Sequence, residues 1–227
     1  KWVVDKTTKQ VVSGDDLIKQ VFTWGGSAYA LSGSPFAFDR LCSADLPAAT
    51  ALLNSGSGNG SSARLYLNGE ETSGGRAFAH VVTGPDAGKS YHLAHFGFTN
   101  FENVLLSPKP QDKTIAIMTN DSGDGEVFIY VGTKNNTGAT EPEKAGLTGG
   151  TLYGLAVPGK PFELSTDAAL AVGPTETFTL ASIGGPGNYP TNGTDTNNRA
   201  TTAGVLQLGG PEDGAWDTRP GYEDTFY

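Results

Sequence analysis

Thr114 to Gly154, TIAIMTNDSGDGEVFIYVGTKNNTGATEPEKAGLTGGTLYG, is the stretch whose reading decides the fold. It reads as three strands. TIAIM and EVFIYVG are apolar and rich in β-branched or aromatic residues, and TLYGLAV follows after a longer loop. Between the first two lies Asn120-Asp121-Ser122-Gly123-Asp124-Gly125, whose Asp-Gly chemistry marks a tight hairpin turn. The tip of that hairpin is acidic, and on a β-scaffold such a tip is a place to hold a cation or a substrate.

The same texture extends outward in both directions. The chain has 227 residues, room for one large all-β domain or two small ones. Glycine supplies 32 of them, about twice the usual share. No Gly-X-Y repeat accompanies it, so the glycines mark turns between many short strands. A net charge of −9 excludes the basic stripe that a nucleic-acid surface needs, and no nucleic-acid partner is expected. Acidic loops suit calcium or another hard cation, although most such charge is simply solvated.

Cys42 is the one cysteine, which rules out an internal disulfide and any cysteine-based zinc site. Flanked by Leu41 and Ser43, it reads as buried packing. No run of 18 apolar residues is present, so no transmembrane segment is expected, and no signal peptide is visible. The chain opens on KWVVDK and closes on EDTFY, both strand-like. It therefore reads as truncated at both ends, with self-association or a larger assembly expected through the missing parts.

Taken in order, Lys1 to Ser13 reads as a hairpin around Lys6 to Lys9, and Leu17 to Thr23 as a strand. Ala48 to Asn54 suggests a short helix, and NSGSGNGSS (54–62) a flexible loop. ARLYLNG (63–69) is a strand, AFAHVVT (77–83) and SYHLAHF (90–96) a hairpin, and NFENVLL (100–106) another strand. Ser182 to Asn198 reads as a long polar insertion too rich in Gly, Pro and Asn for regular structure. A short helix is expected over Arg199 to Leu208, then a last strand after Trp216. The expectation is an all-β, β-propeller-like fold: several antiparallel blades with long loops and little helix, one domain over 1–227. No clean repeat of 40 to 50 residues stands out.

Several stretches resemble the secreted bacterial PhoX-type proteins, a β-propeller family that includes calcium- and iron-dependent alkaline phosphatases. They are RLCSADLP (40–47), LNGEE (67–71), FEN (101–103), TNDS (119–122) with GEVFIY (125–130), and PEDG (211–214). The match is to an uncharacterised branch, and it covers most of the chain. In the resembled phosphatases, acidic residues from several blades hold iron and calcium at one mouth of the propeller. Carried over by motif, the family's Cys-Glu-Glu element falls on Gly69-Glu70-Glu71, and the Glu of its His-Glu element on Glu102. Its Asp-Asp-Ser and Gly-Glu elements fall on Asn120-Asp121-Ser122 and Glu126, and its Arg-Pro-Glu-type element on Gly210 to Asp213. The resemblance thus implies metal ligands among Glu70, Glu71, Glu102, Asp121, Glu126, Glu212 and Asp213. Calcium is the implied ion. Iron is put in doubt because Gly69 replaces the thiolate ligand, and Phe101 replaces the histidine. Secretion or a periplasmic location is implied as well.

Each position also has an ordinary reading. Glu70 and Glu71 are adjacent, so in a strand only one can face a site. Glu102 lies in an apolar strand, where a charge needs a partner or a metal, and is the strongest single candidate. Asp121 and Glu126 flank a turn that Asp and Gly would build for backbone reasons alone. Glu212 and Asp213 would serve equally as a loop cap. His80, His92 and His95 lack an HExxH or H-x-H spacing and read as core or surface residues, with His80 and His92 able to pair across strands. Asn59, Asn120, Asn135 and Asn192 head glycosylation-type sequons of the kind an Asn- and Thr-rich chain produces by chance.

Two functions follow. One is a metal-dependent phosphoesterase acting on a phosphate ester, with cations at an acidic mouth neutralising developing charge. The other is a non-catalytic, calcium-stabilised extracellular binding or structural module.

Overall fold

A computed structural model describes residues 1–163, 173 and 175–227. The first hairpin, β1 (Trp2–Val4) with β2 (Val11–Gly14), turns at Asp5, whose carboxylate accepts the Thr7 and Thr8 amides at 2.9 and 2.7 Å. There follow β3 (Gln20–Trp24), β4 (Tyr29–Leu31), β5 (Leu41–Asp45), the one-turn helix α1 (Ala49–Leu52), β6 (Leu53–Asn54) and β7 (Asn59–Gly60). Next come β8 (Leu65–Glu70), β9 (Ala77–Val81), β10 (Lys89–His92), a 3-10 turn over Ala94–Phe96, β11 (Phe101–Leu106), β12 (Lys113–Asn120) and β13 (Val127–Thr133). The chain continues through α2 (Glu141–Lys144), β14 (Thr151–Ala156), β15 (Thr179–Gly184) and α3 (Gly193–Thr202).

Strand dominates and helix is sparse, as the composition implied. Two sheets carry the fold. One has the order β4-β3-β10-β9-β8-β5, and the other runs β11-β12-β13-β14-β15 as an up-and-down meander. Only β3 against β10 is parallel; every other named pairing is antiparallel. The sheets share one core, in which Leu65, Leu67, Ala77 and Ala79 of the first meet Phe101, Val104, Met118, Phe128 and Tyr130 of the second. Both faces of β8 and β9 are covered, so these strands are buried almost throughout, and their polar residues Asn68, Glu70 and His80 all have hydrogen-bond partners.

A hairpin that the sequence does not show as a clean repeat recurs in three dimensions. LNGEETSGGRAF (67–78) and IMTNDSGDGEVF (117–128) form matching hairpins, position by position, fifty residues apart. The Glu70 amide donates to the Arg76 carbonyl at 2.9 Å, and Asn120 donates to Glu126 at 3.1 Å. The Gly75 amide donates to Thr72 at 2.9 Å, and Gly125 donates to Ser122 at 3.0 Å. A Cβ at Gly75 or Gly125 would lie 2.1 Å from the carbonyl oxygen of Glu70 or Asn120, so glycine is required at both. Each turn then docks on the chain that leads into the following segment, Gly75 on Thr99 and Gly125 on Leu208. Few identities survive between the copies because the backbone geometry, not the side chains, is what repeats.

Several expectations change. Ser182 to Asn198 is not irregular: it ends β15 and starts α3. Asn192 caps that helix by accepting the Asp195 amide at 2.9 Å, and Arg199 reaches back to Asp195 at 2.8 Å. The helix expected over Arg199 to Leu208 therefore begins earlier, at Gly193, and ends at Thr202. SYHLAHF is a strand only to His92 before the 3-10 turn, and the expected last strand is a single bridge between Trp216 and Phe226. His80 lies opposite Ser90, and His92 opposite Phe78, so the two histidines do not pair. Among the described residues no helix is long and apolar enough to cross a membrane.

Candidate metal centre

Two strands and two hairpin turns bring acids together. β11 lies beside β5 and β8, so the second residue of each of two sheet-edge strands, Cys42 in β5 and Glu102 in β11, faces the same place. The Cys42 thiol donates to Glu102 Oε2 at 3.1 Å, and the Ser43 hydroxyl donates to Glu102 Oε1 at 2.9 Å. The matching turns add one carboxylate each. Glu71 is placed by its amide donating to the Arg40 carbonyl at 2.7 Å, and Asp121 by its amide donating to Asn100 at 2.9 Å. Glu212 arrives from the segment after α3, where Asn103 Nδ2 donates to Asp213 Oδ1 at 2.8 Å and ties that segment to β11.

The result is two groups of three donors that share one residue. Cys42, Glu71 and Glu102 each present an atom within 4.8 Å of the others, and so do Glu102, Asp121 and Glu212. The repeat explains the arrangement. Each group takes a residue of a sheet-edge strand, the acid of the hairpin turn that follows, and a residue of the next segment. Glu102 serves as the last member of one group and the first of the other.

The electrostatics fit a cation-binding place. Glu102 is buried at 6% exposure and pairs with no Lys or Arg among the described residues. The Glu212 carboxyl is exposed, yet Asp121 and Glu102 nearby push its pKa upward. Burial pushes the Cys42 thiol up to about 12, with hydrogen bonds to Glu71 and Glu102 adding to it. An uncharged thiol held against two carboxylates would ionise readily beside a cation.

Three of the expected ligands lie outside both groups. Glu70 is buried and bound by Arg76, with Nε at 2.6 Å and Nη2 at 2.5 Å, and it also accepts the Asp39 amide at 2.8 Å. Burial pushes its carboxyl up, and the bonds from Arg76 and the Asp39 amide together more than reverse this, holding its pKa below the ordinary value. Glu126 is the positional match of Arg76 and accepts Asn120 Nδ2 at 2.6 Å; burial raises its pKa. Glu70–Arg76 and Asn120–Glu126 are thus the same cross-turn lock, written once as an ion pair and once as an amide–acid bond. Asp213 is held by Asn103 and fixes the approach of Glu212.

Two readings of cysteine are corrected together. Gly69 cannot stand where a ligand thiolate would, because a Cβ there would lie 2.2 Å from Phe101 Cβ. Cys42 is not inert packing but half-buried on the cluster. Its one signal in the sequence was position: Arg40-Leu41-Cys42 and Asn100-Phe101-Glu102 both lead from a loop into a strand.

The histidines serve the core. His80 Nε2 lies 2.9 Å from Asn68 Oδ1 and Nδ1 lies 2.6 Å from Ser90 Oγ, a polar line across β8, β9 and β10. All three residues are buried, which removes this line from contact with any substrate. No family model, no curated protein and no solved structure matches this chain.

Proposed function

We propose that this chain is a metal-dependent phosphoesterase of PhoX-like type, with its cations held where the two three-donor groups meet. The observation that carries the reading is Glu102, buried without a cation and shared by both groups. Cys42, Glu71 and Glu102 offer a thiol and two carboxylates, a set suited to a transition metal such as iron. Glu102, Asp121 and Glu212 offer only carboxylates, a set suited to calcium. Bound cations there supply charge neutralisation at phosphoryl oxygens and an activated water near neutral pH. The protein's part is positional. Glu102 would be shared by the two groups, Ser43 orients it, the two turns fix Glu71 and Asp121, and Glu212 would add an exposed carboxylate.

The propeller-like arrangement belongs to the same proposal, supported by the hairpin that recurs after fifty residues and docks each time on the next segment. A secreted or periplasmic setting follows from the resemblance. The alternative, a calcium-stabilised binding or structural module, rests on the replaced thiolate and on the resemblance to an uncharacterised branch; Cys42 on the cluster bears on the first of these alone. Elemental analysis of purified, chelator-free protein with a phosphomonoester assay tests the proposal. Iron and calcium at fixed stoichiometry with turnover that Glu102→Gln abolishes are expected. Metal-loaded protein inert towards every phosphate ester would overturn it.

A further inference from the structure

Between the two matching turns and α3 lies a small polar pocket of about 180 Å³. Ser73 and Gly74 of the first turn, Ser122 of the second, the segment Phe98 to Asn100 and the start of α3 form its walls. These parts are fixed to one another. The Phe98 amide donates to Thr196 Oγ1 at 3.1 Å, and Gly193 packs so closely on the first turn that a Cβ there would lie 2.7 Å from Gly74 Cα. The fold therefore shapes the pocket before any ligand arrives.

Two sets of polar groups in it lack partners. Thr99 lines the pocket at only 3% exposure, and its hydroxyl makes no hydrogen bond among the described residues. A buried hydroxyl left unpaired is costly, so a group that enters the pocket and meets it gains what the fold left open. At the start of α3 the Asp195 amide is taken by Asn192, whereas the Gly193 and Thr194 amides have no acceptor among the described residues. Both residues line the pocket. Among the described residues no charged side chain lines it, and Asp195 is turned to the Thr191 amide and to Arg199.

We propose that this pocket binds a single neutral sugar ring. An anion would find no cationic side chain there and a cation no carboxylate, so the complementary ligand is uncharged. It has to accept from the helix amides and exchange hydrogen bonds in either sense with Ser73, Thr99 and Ser122. The clustered hydroxyls of a sugar do both on one small frame. Phe98 supplies an apolar wall for a face of the ring. The volume falls below the ~300 Å³ at which sites for drug-sized ligands begin, which limits the occupant to one ring. The inference stands apart from the metal centre, because none of Cys42, Glu71, Glu102, Asp121 and Glu212 lines this pocket.

Ligand-observed NMR and titration calorimetry on the full chain test it, with D-glucose, D-galactose, D-mannose and N-acetyl-D-glucosamine as probes and inorganic phosphate beside them. At least one sugar should bind. Thr99→Val, close in shape but without the hydroxyl, should weaken that sugar about fivefold or more at an unchanged urea midpoint. Asn197→Ala, at an exposed position of α3 on the rim, should also weaken it and keeps the test open if Thr99→Val fails to fold. A wild type that binds none of the four sugars overturns the proposal. So does a sugar that binds both folded variants as tightly as wild type, which would place it elsewhere. Phosphate that displaces the sugar with the same sensitivity to Thr99→Val would make this an anion site and overturn it too.

Discussion

Glu71 and Asp121 occupy the same position of two hairpins fifty residues apart, and their amides bond to the carbonyls of Arg40 and Asn100, each two residues before a cluster residue, Cys42 or Glu102. One backbone device thus delivers two acids to one place. Glu102 lies between them and belongs to both groups.

Glu102→Gln should therefore weaken metal binding at both groups at once, by about 100-fold or more, beyond what an outer-shell partner gives. The thermal midpoint of the loaded protein should fall. That of the metal-free protein should hold or rise, because one of four crowded carboxylates becomes neutral. A metal-free midpoint several degrees lower would assign Glu102 to packing instead.

The Cys42 thiol, pushed up to about 12 chiefly by burial, stays protonated at pH 8 in the metal-free protein. Its thiolate fraction is then lower by about a thousandfold than that of an ordinary cysteine. Ellman's reagent should label it slowly in the folded chain and at once in denaturant. Rapid labelling of folded, metal-free protein would contradict the geometry.

Gly69→Ala should destabilise by about 1–3 kcal/mol, since the new methyl meets Phe101 at the centre of the shared core. Gly69→Cys should suffer likewise and gain no metal. Urea midpoints and elemental analysis read the two effects separately.

Arg76→Met strands the buried Glu70 carboxylate and should cost about 3–5 kcal/mol. The double change with Glu70→Gln should recover much of this while metal content stays at wild type. A fall in bound metal in the folded double variant would return Glu70 to the ligand set.

His80, His92 and His95 are all depressed to about 4, in each case chiefly by burial. The fold favours the neutral ring, so on acidification the unfolded chain takes up protons first. Their contribution is complete above about pH 6.5 and is lost progressively towards pH 4, on the order of 2–3 kcal/mol for each ring. Urea midpoints should drop between pH 6.5 and 4.5, where most carboxylates are still ionised. A flat profile across that window would mean that the rings are hydrated.

Most long strands were legible because they depend on local pattern, whereas β6 and β7 pair in a stretch that reads as helix end and flexible loop. The 114–154 stretch forms the strands its apolar runs imply, and the acidic turn sits where the Asp-Gly pair placed it. The start of α3 was not, since its Asn192 cap and Asp195–Arg199 pair are hidden in a stretch whose Gly, Pro and Asn read as loop. The candidate site was legible in kind but not in membership. Glu71, Glu102, Asp121 and Glu212 converge, whereas Glu70, Glu126 and Asp213 turn to Arg76, Asn120 and Asn103.

The sequence by itself determined an acidic, turn-rich β chain with carboxylates at its hairpin tips, because hydrophobic runs and turn residues act over a few positions. Only the tertiary structure decided which carboxylates meet, and that Cys42 meets them. Those contacts join Cys42 to Glu102 and Glu102 to Glu212 across sixty and more residues. They exist because β5 and β11 lie side by side in a common core, and no short-range pattern encodes that adjacency.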